Sequence, residues 1–267
     1  MVVTHSQIAI LTTVINFDLY AKSSLLFPKN IQKYVIDGRN GMHGLASIFY
    51  MMKKLKNKNI EWLIMADEDV IFKDEALVFD LIDEMKIEDI MVCGVRDGGV
   101  ILHRTYNPNL INTFFSIINF KELERIWNKS EVIKNNYIKD NEFNDDTNIL
   151  KENFDSNSLY EPYYCFYLWL RREKKRFLFL DTVINEDQIT NSVFYKQRIF
   201  LHHTWYARAY RINKSHTQRI DKIFGSVKFE TNNFSAPIVF KDRTYFLARI
   251  ISKTYQRIMR RINNLKQ

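Results

Sequence analysis

Glycine and proline are scarce, 7 and 4 among 267 residues. With so few chain breakers, long ordered elements are expected rather than a mosaic of turns. Cysteine is scarcer still: Cys93 and Cys165 each lie inside an apolar run, IMVCGV and YYCFYLW. Such a residue is more often a buried reduced thiol than a disulfide or a metal ligand, and a reducing cytosolic compartment follows. No stretch reaches the roughly 18 to 20 apolar residues of a membrane span. The opening MVVTHSQIAILTTVINFDLY lacks the basic start and small-residue cleavage site of a secretory signal, so any membrane contact is expected to be peripheral. A GxxxxGK loop followed by Ser or Thr is missing, as is a GxGxxG turn; P-loop and dinucleotide-binding readings lose their main support.

What is present describes an enzyme-sized folded chain. Hydrophobic residues make up 46% and aromatics 14%, enough to bury a substantial core. The formal net charge is +8, but seven basic residues and no acidic one fall between Arg243 and Lys266, and the rest is close to neutral. The excess therefore belongs to the tail, and no nucleic-acid partner is expected. In that tail Leu247, Ile250, Ile251, Ile258, Ile262 and Leu265 recur at helical spacing with Arg and Lys opposite. A cationic amphipathic helix over 241–267 is expected, lying on an anionic membrane surface or packed on the domain with a solvated basic face.

Residues 1–240 read as one α/β domain. Apolar β-branched runs at 8–15, 33–36, 62–65 and 90–95 predict strands. Between them, 18–27, 45–55 and 76–85 carry helical spacing. Alternation of this kind implies βαβ units and a mostly parallel sheet flanked by helices. The stretch 128–158, with eight Asn, reads as an irregular insertion or loop. A helix at 160–172 and a strand at 176–180 follow.

The sequence EWLIMADEDVIF sets Asp67, Glu68 and Asp69 directly after an apolar strand, where ligands bind in open α/β sheets. Two carboxylates two residues apart can hold one Mg²⁺-like cation and leave positions for substrate phosphates; a solvated acidic turn is the plainer reading. Strand alternation would aim Asp67 and Asp69 together and Glu68 away. In IFLHHTWYARAY, alternation lets one of two adjacent histidines face inward, and imidazole is a competent ligand for Mn²⁺-like ions.

Asp67-x-Asp69 behind its strand, the opening ILTTVINFDLY and the later YEPYYCFYLWLRREKKRFLFLD together resemble the GT-A-fold (Rossmann-like) glycosyltransferases of bacterial surface-glycan synthesis. The likeness spans about 8–210. It implies a nucleotide-sugar donor held through Mn²⁺ or Mg²⁺ by Asp67 and Asp69, with Glu68 beside the donor and His203 returning to the metal. It implies a glycan or lipid-linked acceptor, and a cytoplasmic enzyme peripheral on the inner face of the cell membrane. The acidic pair that supplies the base in inverting members is here Glu161-Pro162, so Glu161 matches and the second acid is missing; Glu161 before Pro162 is equally an ordinary helix start. Asp37 and Arg39 fall where the resemblance puts base, ribose and phosphate contacts, or in a plain Asp-Gly turn. Arg96-Asp97-Gly98-Gly99 ends the fourth strand, where the glycine backbone would let donor sugar or acceptor approach closely, with Arg96 as a donor contact, or is an ordinary loop. Asp187 is a further carboxylate candidate. Metal-dependent phosphoryl transfer, nuclease action and a non-enzymatic basic membrane or nucleic-acid module are the competing functions.

Overall fold

The computed structural model describes residues 5–140, 142–143, 147–227, 236–247, 249–251 and 254. Its strands are β1 (Ile8–Val14), β2 (Gln32–Asp37), β3 (Trp62–Ala66), β4 (Val70–Phe72), β5 (Ile90–Arg96), β6 (Gly98–Ile101), β7 (Arg104–Thr105), β8 (Ile111–Asn119), β9 (Arg176–Phe179), β10 (Asp181–Ile184), β11 (Asn191–Tyr195), β12 (Arg198–His203) and β13 (Ile238–Phe240). Its helices are α1 (Phe17–Ser23), α2 (Leu45–Leu55), α3 (Leu77–Ile87), α4 (Phe120–Ile126), α5 (Lys129–Lys134), α6 (Tyr164–Arg172) and α7 (Lys214–Gly225).

A seven-stranded sheet in the order β13-β2-β1-β3-β8-β5-β9 forms the centre. Its pairings are parallel except at β8, which runs antiparallel to both β3 and β5. Strand β1 shows why its residues form a central strand: Ile8, Ile10 and Val14 enter one core, Ala9 and Leu11 the other. A strand covered on both faces needs an apolar residue at almost every position. One face is covered by α2 and the wholly apolar face of α6, the other by α3 and a second sheet.

That second sheet, β10-β11-β12-β4, is antiparallel and has no signature as a unit in the residue pattern. It matters because β3 belongs to the first sheet and β4 to the second. The acidic turn 67–69 is therefore the point where the chain passes from one sheet to the other, anchored at both ends.

Two expectations are adjusted. The helix expected from 160 begins at Tyr164, so Glu161 and Pro162 sit in the turn before it. The 128–158 segment opens with α5, capped by Asn128, whose side chain accepts from the Ser130 and Glu131 amides. It is then clamped to the domain: Arg172 pairs with Glu142 at 2.6 Å, the Lys151 and Glu152 amides donate to the Gly99 carbonyl, and Asn107 donates to Ser156. Of the expected tail helix, 248, 252–253 and 255–267 lie outside the described residues. Cys93 and Cys165 are free and buried, and no helix among the described residues is long and apolar enough to cross a membrane.

Candidate functional site

The acidic cluster is a tight turn rather than strand continuation: the Val70 amide donates to the Asp67 carbonyl at 3.1 Å, and the Asp67 amide to Phe114 of β8 at 2.8 Å. Glu68 lines the same cavity as Asp67 and Asp69 but has backbone partners of its own. Its Oε1 accepts from the Ile15 and Asn16 amides, both at 3.0 Å, so it fastens the β1–α1 turn. Burial, then the nearby Asp69 charge, pushes Glu68 up to about 7. Burial and the same neighbours raise Asp67 well above the carboxylate range. Crowded acids in a buried turn repel one another, and a bound cation would relieve that repulsion.

Antiparallel pairing of β12 with β4 sets His203 opposite Val70, and the Thr204 amide and hydroxyl both donate to the Asp69 carbonyl at 3.1 Å. This register brings His203 Nε2 to 3.4 Å from Asp69 Oδ1. Two ligands at right angles on an octahedral ion stand about 3.0 Å apart, so the pair suits the edge of one metal shell. Phe114 stacks on the imidazole at 4.0 Å and Trp205 lies at 4.1 Å, which fixes the ring plane. His202 turns away: its Nδ1 meets Ser192 Oγ at 2.9 Å, and burial pushes it down to about 4. Among the described residues no three His, Cys, Asp or Glu side chains converge as a ready-made metal shell. The donor set is an Asp–His pair with Asp67 alongside, which leaves most positions in the shell of a hard cation to other oxygen ligands.

These residues line a cavity of about 470 Å³ at the carboxyl ends of the parallel strands, together with Arg104, Glu161, Trp205 and Arg208. That volume is in the usual range for a small-molecule site. Glu161 Oε1 accepts from Arg104 Nη2 at 2.9 Å.

The other expected site residues lie apart. Asp37 is clasped by the Arg39 guanidinium at 2.9 and 2.7 Å, which holds its carboxyl below the usual range. Arg39 lies over Phe17 and lines a neighbouring groove with Ile15, Arg208 and Arg211. Arg96 is outside the cavity lining: it is buried, donates to the Pro108 carbonyl at 2.6 Å and lies on Phe179. The close approach expected of Gly98 and Gly99 is made by the chain itself, since a Cβ on Gly98 would stand 2.0 Å from the Tyr106 carbonyl oxygen. Asp187 is likewise outside the cavity lining. It closes the β10–β11 turn, accepting from the Ile189 and Thr190 amides at 3.0 and 2.7 Å.

Arg104 on the cavity wall went unmarked in the sequence, as did two residues that brace the site from outside its lining. Asn16 caps α1 through Oδ1, while its Nδ2 donates to the Ala207 and Tyr210 carbonyls at 3.0 and 2.9 Å. It thereby ties the β1–α1 turn to the loop carrying Arg208. Asp97 is fully buried and accepts from Arg104, Asn112, Tyr163 and Tyr164. The only sequence signal for Asp97 was an acid at a strand end, and for Asn16 an N-cap residue before a helix.

The sequence matches no protein-family model and no curated protein. Among solved structures, the chain is similar to a glycosyltransferase involved in glycosylation of the major capsid of PBCV-1 (14% identity, 82% of this chain and 99% of that one, TM-score 0.46). It is also similar to the apo form of glycosyltransferase GlyE from Streptococcus pneumoniae TIGR4 (11%, 93% and 64%, 0.39). A third is mouse xyloside xylosyltransferase 1 (14%, 66% and 85%, 0.38). All three are glycosyltransferases.

Proposed function

We propose that this protein is a metal-dependent glycosyltransferase that takes a nucleotide-sugar donor. The observation that carries the reading is the Asp69–His203 pair, two metal-type ligands 3.4 Å apart brought from distant segments to the strand-end cavity. Asp69 and His203, with Asp67 beside them, would hold Mn²⁺ or Mg²⁺. When bound, the cation supplies charge neutralisation for the leaving nucleoside diphosphate. Arg208, on the cavity wall and in the field of Asp67, adds a fixed positive charge for the same phosphates. The adjoining groove with Arg39 is the place for the nucleoside end. The acceptor hydroxyl attacks the anomeric carbon, the bond from that carbon to the diphosphate oxygen breaks with its electron pair leaving on the nucleotide, and the hydroxyl proton passes to Glu161. A nuclease or phosphoryl-transfer centre built on two metals wants more converging carboxylates than one Asp–His pair with a neighbour.

Incubation with a panel of UDP-, GDP- and CDP-sugars and Mn²⁺ tests the activity. Release of nucleoside diphosphate from at least one donor, abolished by EDTA, is expected; EDTA-insensitive release, or none, contradicts it.

The finer reading is a hexosyltransferase of bacterial surface-polysaccharide synthesis, with a glycan or lipid-linked acceptor, working on the cytoplasmic face of the membrane. Its support is the basic run from Arg243 to Lys266, which suits an anionic surface. Removing 243–267 is expected to reduce sedimentation with phosphatidylserine vesicles at low salt. Equal sedimentation of the full and shortened chains would refute a membrane role for the tail.

A further inference from the structure

Glu161 does not reach the cavity alone. Arg104 Nη2 bridges two carboxylates, Asp97 Oδ2 at 2.6 Å and Glu161 Oε1 at 2.9 Å, while Arg104 Nε holds Asp97 Oδ1 at 2.7 Å. The guanidinium is thus gripped at two points by a carboxylate that is itself fixed by Asn112, Tyr163 and Tyr164. It also lies over the Tyr106 ring at 4.4 Å. Side-chain exposure falls from 23% at Glu161 to 13% at Arg104 and 0% at Asp97, so the chain of contacts runs from the cavity wall into the core. We infer that Arg104, held by Asp97, is a positioning residue that aims Glu161 at the attacking acceptor hydroxyl. This rests on the glycosyltransferase reading above.

The planar guanidinium suits this role. Its fork clasps Asp97 with two parallel hydrogen bonds and still presents a donor to Glu161, which a lysine ammonium cannot do in the same geometry. Burial disfavours the charge on Arg104, but the Asp97 hydrogen bonds outweigh it and keep the guanidinium protonated. Glu161 therefore meets a permanent cation, and its carboxylate is held in one orientation. No sequence spacing marks the pair, because Arg104 and Glu161 are 57 positions apart.

The test compares wild type with Arg104→Lys, Arg104→Met, Glu161→Gln and the Arg104→Met/Glu161→Gln double variant. Two quantities are measured: Mn²⁺-dependent nucleoside diphosphate binding, and the kcat and KM of Mn²⁺-dependent hydrolysis of the best nucleotide-sugar, with water as acceptor. Arg104→Met is expected to lower kcat about tenfold or more with binding within about twofold, and the double variant to be no slower than Glu161→Gln, as for residues acting as a unit. Arg104→Lys keeps the buried charge pair, so the folded state stays measurable if Arg104→Met fails to fold, and it too should lose kcat rather than binding. Unchanged kcat in Arg104→Lys or Arg104→Met, or multiplicative losses in the double variant, would overturn the positioning role alone. Weakened nucleotide binding would also overturn it, making Arg104 a phosphate contact. A wild-type protein that hydrolyses no donor contradicts the glycosyltransferase reading and this inference together.

Discussion

Replacing Asp69 by alanine is expected to weaken Mn²⁺-dependent nucleoside diphosphate binding at least tenfold, about 1.4 kcal/mol or more. The side chain is 6% exposed, and its Oδ1 faces His203 Nε2 at 3.4 Å. Its removal leaves the metal a single imidazole and one flanking acid. The turn should survive, because Asp69 is held by its backbone carbonyl and Glu68 keeps its own contacts to Ile15 and Asn16. Without metal, the variant should melt at the same temperature as wild type or higher, since one of three crowded acids is gone and the burial that raises Asp67 and Glu68 loses its like-charge reinforcement. Binding falling while metal-free stability holds separates a ligand from a structural acid; the reverse pattern would show that Asp69 serves the fold.

Asp97→Ala should produce the opposite pattern. Asp97 takes five hydrogen bonds from four side chains at 2.5 to 3.2 Å. Truncating it strands a guanidinium at low exposure, together with an amide and two phenols. Breaking a buried ion pair from one side costs about 3–5 kcal/mol, and the unpaired amide and hydroxyl donors add to that. Urea unfolding of Asp97→Ala should show a loss of that order, with Asp97→Asn losing less because an amide oxygen still accepts. A loss of about 1 kcal/mol or less, the scale of an ordinary substitution, would mean that Arg104 finds other partners.

Much of the fold could be read from residue pattern, and the reasons are local. Strands β1, β3 and β5 are apolar at nearly every position, and α2 and α3 keep one apolar face, so period alone marks them. Period has no term for direction. Strand β8, INTFFSIIN, is as apolar as its neighbours and gives no sign of running against them. Strand β10, at the edge of the second sheet, is only half-buried, so its apolar signature is diluted, and that sheet could not be assembled from pattern alone.

The candidate site divides along the same line. Asp67 and Asp69 stand out because acids after a buried strand are locally conspicuous. The choice of His203 over His202 depended on which side of β12 faces the turn, and the β12–β4 register puts His203 beside Asp69. Arg96, Asp187 and the Gly98-Gly99 turn were drawn toward the site by their place at strand ends and loops. The structure gives Arg96 to Pro108 and Phe179, and Asp187 to its own turn. The residues overlooked, Asn16, Asp97 and Arg104, act through partners about 50 to 190 positions away as well as local ones. No spacing rule could have paired them.

Calorimetric titration of UDP, GDP, CDP and CMP into the full chain, once with Mn²⁺ and once with EDTA, bears most directly on the Asp69–His203 site. The expected result is heat from at least one nucleoside diphosphate with Mn²⁺ and none with EDTA. No metal-dependent binding of any of the four nucleotides would contradict it.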